Sequence, residues 1–155
     1  MITNAHNDPA VETAKKSISV KVFGVGGTGI NVMEPLLKDS LPGVGLVAVN
    51  TDAQSLAASS VTEKVNLETQ PMRGLGTGGD PDRGRALAEE QLPKLKSLCE
   101  GTDVVFILAG LGGGAGTGIS PVLAGAALEA VKKWRFEPAA VESSGVVDFK
   151  FEPHQ

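Results

Sequence analysis

An open, mostly parallel α/β sheet flanked by helices is the fold class this sequence predicts, and three observations predict it. Apolar runs of strand length alternate with stretches of helical periodicity, the rhythm of parallel strands joined by crossover helices. Val104 to Ala109 (VVFILA) is apolar without a break, as suits a central strand buried on both faces. Of the 20 glycines, 14 fall in the clusters 24–29, 74–79 and 110–118, each at a strand end or a helix start. Together these describe a Rossmann-like sheet, in which ligands sit outside the carboxyl ends of the strands.

Taken in order, residues 1–16 are polar and read as a disordered lead-in. Ile18 to Phe23 is a strand, followed at once by Gly24-Val25-Gly26-Gly27-Thr28-Gly29. Ile30, Met33 and Leu37 share one helical face, and Pro35 should kink or shorten that helix. Leu46 to Val49 is a second short strand ending in Asn50-Thr51-Asp52, Gln54 to Ala58 a helical turn, and Lys64 to Leu67 a third strand. Asp80-Pro81 is a strong helix start, Asp at the N-cap and Pro at the first helical position. That helix is expected to reach Cys99, with Ala88, Leu92, Leu95 and Cys99 on one face and Pro93 as a flaw inside it. After Val104–Ala109 and its glycines, Ile119 to Lys133 reads as a helix. Beyond Pro138 the alternation Val147-Asp148-Phe149-Lys150-Phe151 predicts a half-exposed strand, antiparallel to a neighbour.

Composition narrows the function classes. Hydrophobic residues make 41% and charged residues 21%, an ordinary globular balance, and a net charge of −4 argues against a nucleic-acid surface. Cys99 stands alone, so there is no disulfide framework, which fits the cytoplasm; packing is the expected role of that thiol rather than nucleophilic chemistry. No apolar run is long enough to span a membrane, and the first residues lack the apolar core of a signal peptide. His6 and His154 have no sequence neighbours that suggest a metal site.

The chemistry lies in the glycines. A strand, a glycine loop and a helix N-terminus in succession make an anion site, because unpaired N–H groups and the positive dipole end point the same way. The 110–118 cluster has that form without the Gly-Lys-Ser/Thr of a Walker loop, so backbone N–H groups and the Thr117 hydroxyl would hold a phosphate with no lysine. Gly24, Gly26 and Gly29 also fit the dinucleotide pattern G-x-G-x-x-G, with Asp52 placed as a ribose ligand. A dinucleotide needs one phosphate loop, and the further clusters suit a triphosphate better.

Read residue by residue, these loops resemble the tubulin/FtsZ family. Gly112-Gly113-Gly114-Ala115-Gly116-Thr117-Gly118 is similar to its signature loop, with Ala115 where the family usually has Thr. Gly24 to Asn31 resembles the first nucleotide loop of FtsZ, Asn50 to Leu56 the second, and Arg73 to Pro81 the third. The resemblance implies Gly26, Gly27, Thr28 and Gly29 at the phosphates, with Ile30 and Asn31 completing the loop and Asn31 facing guanine. It places Gly76, Thr77 and Gly78 at the γ-phosphate, Asp52 near the metal and terminal phosphate, and Gly113, Gly114, Ala115, Gly116 and Thr117 around the phosphates. GTP or GDP with Mg²⁺ are the implied ligands, FtsZ-like subunits in a filament the implied partners, and bacterial cell division the setting.

The resemblance covers residues 17–125, an incomplete nucleotide-binding domain, and leaves 126–155 as a tail of helix plus strand. Ala127 to Ala139, with Trp134-Arg135-Phe136-Glu137-Pro138, and the alternation after Gly145 resemble the C-terminal end of TonB-like energy-transducing proteins. The family's ribose-contacting Glu and Arg, its guanine-reading Asp and its catalytic acidic loop have no counterpart here. A truncated or recombined domain is therefore expected, hydrolysing GTP only when another subunit completes the site. The alternatives are a non-catalytic module that docks on or caps full-length FtsZ filaments, and a dinucleotide-binding fragment.

Overall fold

The computed structural model describes residues 18–39, 41–68 and 76–132. In order these form β1 (Val20–Val25), α1 (Gly26–Met33), a 3₁₀ turn (Glu34–Leu37), β2 (Val44–Asn50), α2 (Ala53–Ala58) and β3 (Glu63–Asn66). After the second glycine cluster come α3 (Pro81–Glu90), α4 (Leu92–Cys99), β4 (Val104–Ala109) and α5 (Gly114–Val131). The four strands form one sheet in the order β3-β2-β1-β4. Every pairing is parallel; Val20 of β1 lies beside Val44 on one side and Val104 on the other. The expected fold class is the observed one.

Alternation along the strands divides the apolar residues between two layers. Phe23, Val25, Val47 and Val49 face α3, α4 and α5, packing with Ala88, Leu95, Cys99, Ile119 and Leu123. Val22 and Ala48 face the opposite side, where α1 and α2 contribute Ile30, Met33 and Leu56. Gly24 makes room within β1: a Cβ there would lie 2.8 Å from Met33 Cε.

Several expectations change at the level of single elements. β1, not β4, is the strand buried on both faces; β4 is the sheet's edge among the described residues. Val104 is 38% and Phe106 50% exposed. Their row of β4 points to the side of α1, an eight-residue helix that reaches only Leu108. An unbroken apolar run is thus compatible with burial but does not supply the cover.

Pro93 is no flaw. The stretch from Pro81 to Cys99 is two helices meeting at Gln91, and Pro93 occupies the first turn of α4, where a missing N–H has no partner to lose. Pro35 acts similarly, converting the end of α1 into a 3₁₀ turn. The last helix starts at Gly114, inside the glycine cluster and earlier than its periodicity indicated, and continues without interruption through 125 and 126 to Val131. The predicted lead-in and the strand around Val147–Phe151 lie outside the described residues.

Candidate functional site

Because all strands are parallel, their carboxyl ends share one edge, and the N-termini of α1, α2 and α5 follow directly from β1, β2 and β4. The glycines pack these loops together. Gly26 adopts φ 70°, and a Cβ on it would meet Gly116 N at 3.1 Å. A Cβ on Gly29 would run into the Leu108 carbonyl oxygen, one on Gly116 into that of Gly110, and one on Gly110 into Thr28. The third loop closes the ring: Thr77 lies against Gly114, and Gly76, at φ 60°, sits over Thr51 and Asp52. All the described loop residues named from the sequence are therefore brought to one edge; Arg73, Gly74 and Leu75 lie outside the described residues.

Two adjoining hollows open there. The first, about 290 Å³, is lined by Gly26, Gly27, Thr28, Gly110, Leu111 and Gly113 to Gly116. The second, about 260 Å³, is lined by Gly27, Ile30, Asn31, Glu34, Ser55, Ala58 and Ser59, and Gly27 belongs to both. No lysine or arginine lines either.

The helix starts are of two kinds. α2 is capped by Asp52, whose carboxylate accepts from Gln54 N at 2.9 Å, Ser55 N at 3.4 Å and Ser55 Oγ at 2.7 Å. α3 is capped in the same way by Asp80, accepting from Asp82 N at 2.9 Å and Arg83 N at 3.4 Å. α1 and α5 begin after Val25 and Gly113, with no side-chain cap. Their first-turn N–H groups are thus left to an outside acceptor, and both helices open on the first hollow. The loops divide the work: two supply donors, two carry their own carboxylates.

Single residues take more specific places. Ile30 is buried in the core, so its contribution at the second hollow is limited to an apolar rim. Asn31 is exposed on that rim. The Thr117 hydroxyl accepts from Gly112 N at 3.0 Å, holding the glycine loop, and keeps its proton to donate. Thr51 is 1% exposed, with a hydroxyl that has no partner directly below Gly76. Hydrogen bonding from Ser55 and from the α2 N–H groups holds the Asp52 carboxyl below the usual carboxylate range.

Gly114 and Gly116 leave no room for a side chain. Neither has positive φ, and a side chain on either would strike the protein's own chain at Thr77 or Gly110 before it reached a ligand. The sequence reading also missed Glu34. Its Oε1 accepts from Ser59 Oγ at 2.7 Å and Ser60 N at 2.8 Å, tying the end of α1 to the end of α2 behind the second hollow. The signal was present: Gly27, Asn31 and Glu34 fall at i, i+4 and i+7 on one helical face.

Among the described residues no cluster of three His, Cys, Asp or Glu side chains is able to hold a metal. The second carboxylate oxygen of Asp52 accepts from the hydroxyl of Ser55, a residue that lines the second hollow. That donor set fits a cation such as Mg²⁺ held by one carboxylate, water and a ligand's phosphates, and does not fit an all-protein cage. No helix among the described residues is long and apolar enough to cross a membrane.

Known proteins share this sequence and fold. The chain is 42% identical over 118 residues to the cell division protein FtsZ of Coxiella burnetii, covering 76% of this chain and 31% of that protein. To the FtsZ of Aquifex aeolicus it is 46% identical over 110 residues, covering 71% and 30%. It spans about a third of the length of the relatives it matches. An FtsZ dimer from M. jannaschii superposes with a TM-score of 0.70 at 37% identity, over 76% of this chain and 34% of that one. A GTPγS-bound protofilament of CetZ2 from Haloferax volcanii gives 0.60 at 32%, over 69% and 35%. The model of the Tubulin/FtsZ family GTPase domain matches residues 19–147, which takes in all four loops and the whole described sheet, and the chain belongs to that family.

Proposed function

We propose that this chain binds a guanine nucleotide, as FtsZ does in bacterial cell division. The observation that carries the reading is the pair of uncapped helix starts, α1 and α5, opening on one glycine-lined hollow. The nucleotide's phosphates take the N–H groups of Gly27, Thr28, Ala115 and Gly116, with the Thr117 hydroxyl as an added donor. The nucleoside runs from Gly27 into the second hollow towards Asn31 and Glu34. The Gly76–Gly78 loop covers the terminal phosphate, and Mg²⁺, when bound, neutralises phosphate charge with Asp52 among its ligands. The GTPγS named for the CetZ2 protofilament supports a triphosphate in this family. As no carboxylate lines the first hollow, turnover is assigned to a site completed by another FtsZ-like subunit, in the cytoplasm at the division site. The TonB resemblance expected for residues 127–151 carries no part of this reading, since the match to the Tubulin/FtsZ GTPase domain runs on to residue 147.

Calorimetric titration with GTP, GDP, ATP and NAD tests this. GTP and GDP should bind, ATP somewhat more weakly because the contacts to the base are few, and NAD not at all. NAD binding with no response to GTP would establish the dinucleotide reading instead. Failure of every nucleotide, with co-sedimentation on full-length FtsZ filaments, would establish the docking module.

A further inference from the structure

Side-chain donors and acceptors are unequally left over in the second hollow. Its two serines are spent within the protein. Ser55 Oγ donates to Asp52 Oδ2 at 2.7 Å; Ser59 Oγ donates to Glu34 Oε1 at 2.7 Å and accepts from Val61 N at 3.1 Å. The side chains of Ile30 and Ala58 offer only carbon. Two polar side chains keep capacity. Asn31 is exposed and carries both a donor and an acceptor. Glu34 accepts from Ser59 Oγ and Ser60 N, both on Oε1, and a carboxylate has about four lone-pair sites. Those bonds, from Ser59 first, hold its carboxyl below the usual carboxylate range, so it stays ionised and can only accept. A ligand that matches this hollow brings N–H groups of its own.

We propose that Glu34 is the specificity-determining residue for the base, its carboxylate accepting from the N1–H and the 2-amino group of guanine. The inference rests on the proposed binding of a guanine nucleotide and names the group that reads it. Reach supplies the first argument. Gly27, Asn31 and Glu34 share one face of α1 and its 3₁₀ extension, and Glu34 lies about 10 Å along the axis from Gly27. A nucleotide with its phosphates at the start of α1 lays its nucleoside along that face. Preorganisation supplies the second. The bonds from Ser59 and Ser60 hold the carboxylate in place before a ligand arrives, so little ordering is left for binding. Base chemistry supplies the third. Guanine presents an N–H and an NH₂ side by side, which suits one carboxylate. Adenine presents one NH₂ beside a ring nitrogen whose lone pair repels an anion. Asn31, able to donate or accept, suits either base, so discrimination falls to Glu34.

Calorimetric titration with GTP, inosine triphosphate and xanthosine triphosphate, on the unaltered chain and on Glu34→Gln, tests the proposal. The unaltered chain should bind GTP about tenfold more tightly than inosine triphosphate, which lacks the 2-amino group and so one hydrogen bond to a charged acceptor. Xanthosine triphosphate should bind most weakly, because its 2-carbonyl oxygen faces the carboxylate. Glu34→Gln keeps an oxygen for Ser59 and Ser60 and sets an NH₂ donor beside it. The order should then reverse, with xanthosine triphosphate binding more tightly than GTP. Loosening of the α1–α2 clasp alone would instead weaken all three equally, and that result would overturn the assignment. Equal binding of GTP and inosine triphosphate by the unaltered chain would overturn it too, whether or not the variant folds, while nucleotide binding itself stood. Failure of all three on the unaltered chain would overturn the guanine-nucleotide reading and this inference with it.

Discussion

At the scale of the residue, the glycines separate into those the fold needs and those that face open space. A Cβ at Gly29 would overlap the Leu108 carbonyl and one at Gly116 that of Gly110, whereas one at Gly27 meets nothing within 4 Å. Gly29→Ala and Gly116→Ala should therefore each destabilise the chain by about 1–3 kcal/mol through forced backbone shifts, seen as a lower midpoint in thermal unfolding. Gly27→Ala should hold or raise that midpoint, since alanine favours a helix over glycine by up to about 1 kcal/mol. It should still weaken nucleotide binding, because its methyl group projects where both hollows meet. Equal binding by the Gly27→Ala variant would remove that junction from the site. Cys99 belongs to the first class: it is buried and its thiol pKa is raised by desolvation, so thiol reagents should label it only after unfolding. These distinctions were only partly legible in the sequence. Motif spacing located every loop, but which glycines face open space and which meet Leu108 or Gly110 depends on how the loops fold against one another, and spacing does not show that.

At the scale of the element, two carboxylates hold the ends of α2. Asp52 caps its start, and Glu34 clasps Ser59 and Ser60 at its end. Hydrogen bonding, from Ser59 first for Glu34 and from Ser55 first for Asp52, holds both groups below their ordinary values of 4.5 and 3.8. The sign follows from the depressed folded-state pKa: the stabilisation is fully present above the ordinary values and is lost as pH falls through the folded ones. Thermal midpoints should fall between pH 5 and pH 3, as judged against those ordinary values. Glu34→Gln should lower the midpoint slightly at pH 6 and flatten the acid loss, since Gln accepts a hydrogen bond but does not titrate. An acid profile unchanged by Glu34→Gln would show that the clasp contributes nothing. Asp52→Ala should cost about 1 kcal/mol as a lost N-cap and weaken nucleotide binding in the presence of Mg²⁺. The asymmetry of the caps was half visible beforehand. Asp80-Pro81 announced α3, yet nothing local in Val104–Ala109 distinguishes an edge strand from a buried one; that depends on how far α1 reaches.

At the scale of the whole molecule, the loops after β1 and β4 line the first hollow, and no carboxylate is among its lining residues. The donors around the first hollow are neutral N–H groups and a hydroxyl. The carboxylates of the neighbouring loops, Asp52 and Asp80, are engaged in capping helices. Phosphoryl transfer to water depends on placing the water in line and stabilising the charge that develops, and a carboxylate or amide free to orient that water is the usual means. On the proposed reading, in which another subunit places the water, GTP bound to this chain alone should persist. Incubated alone with GTP and Mg²⁺, the chain should release phosphate at a rate indistinguishable from that of the buffer. Adding a full-length FtsZ whose own nucleotide loop is disabled should raise the rate, if another subunit supplies the missing groups across the open strand ends. Gly27→Ala in this chain should then cancel the gain, which would locate the turnover at this cradle and not in the partner. Phosphate release by the purified chain alone, abolished by Gly27→Ala, would show instead that the cradle is catalytically sufficient.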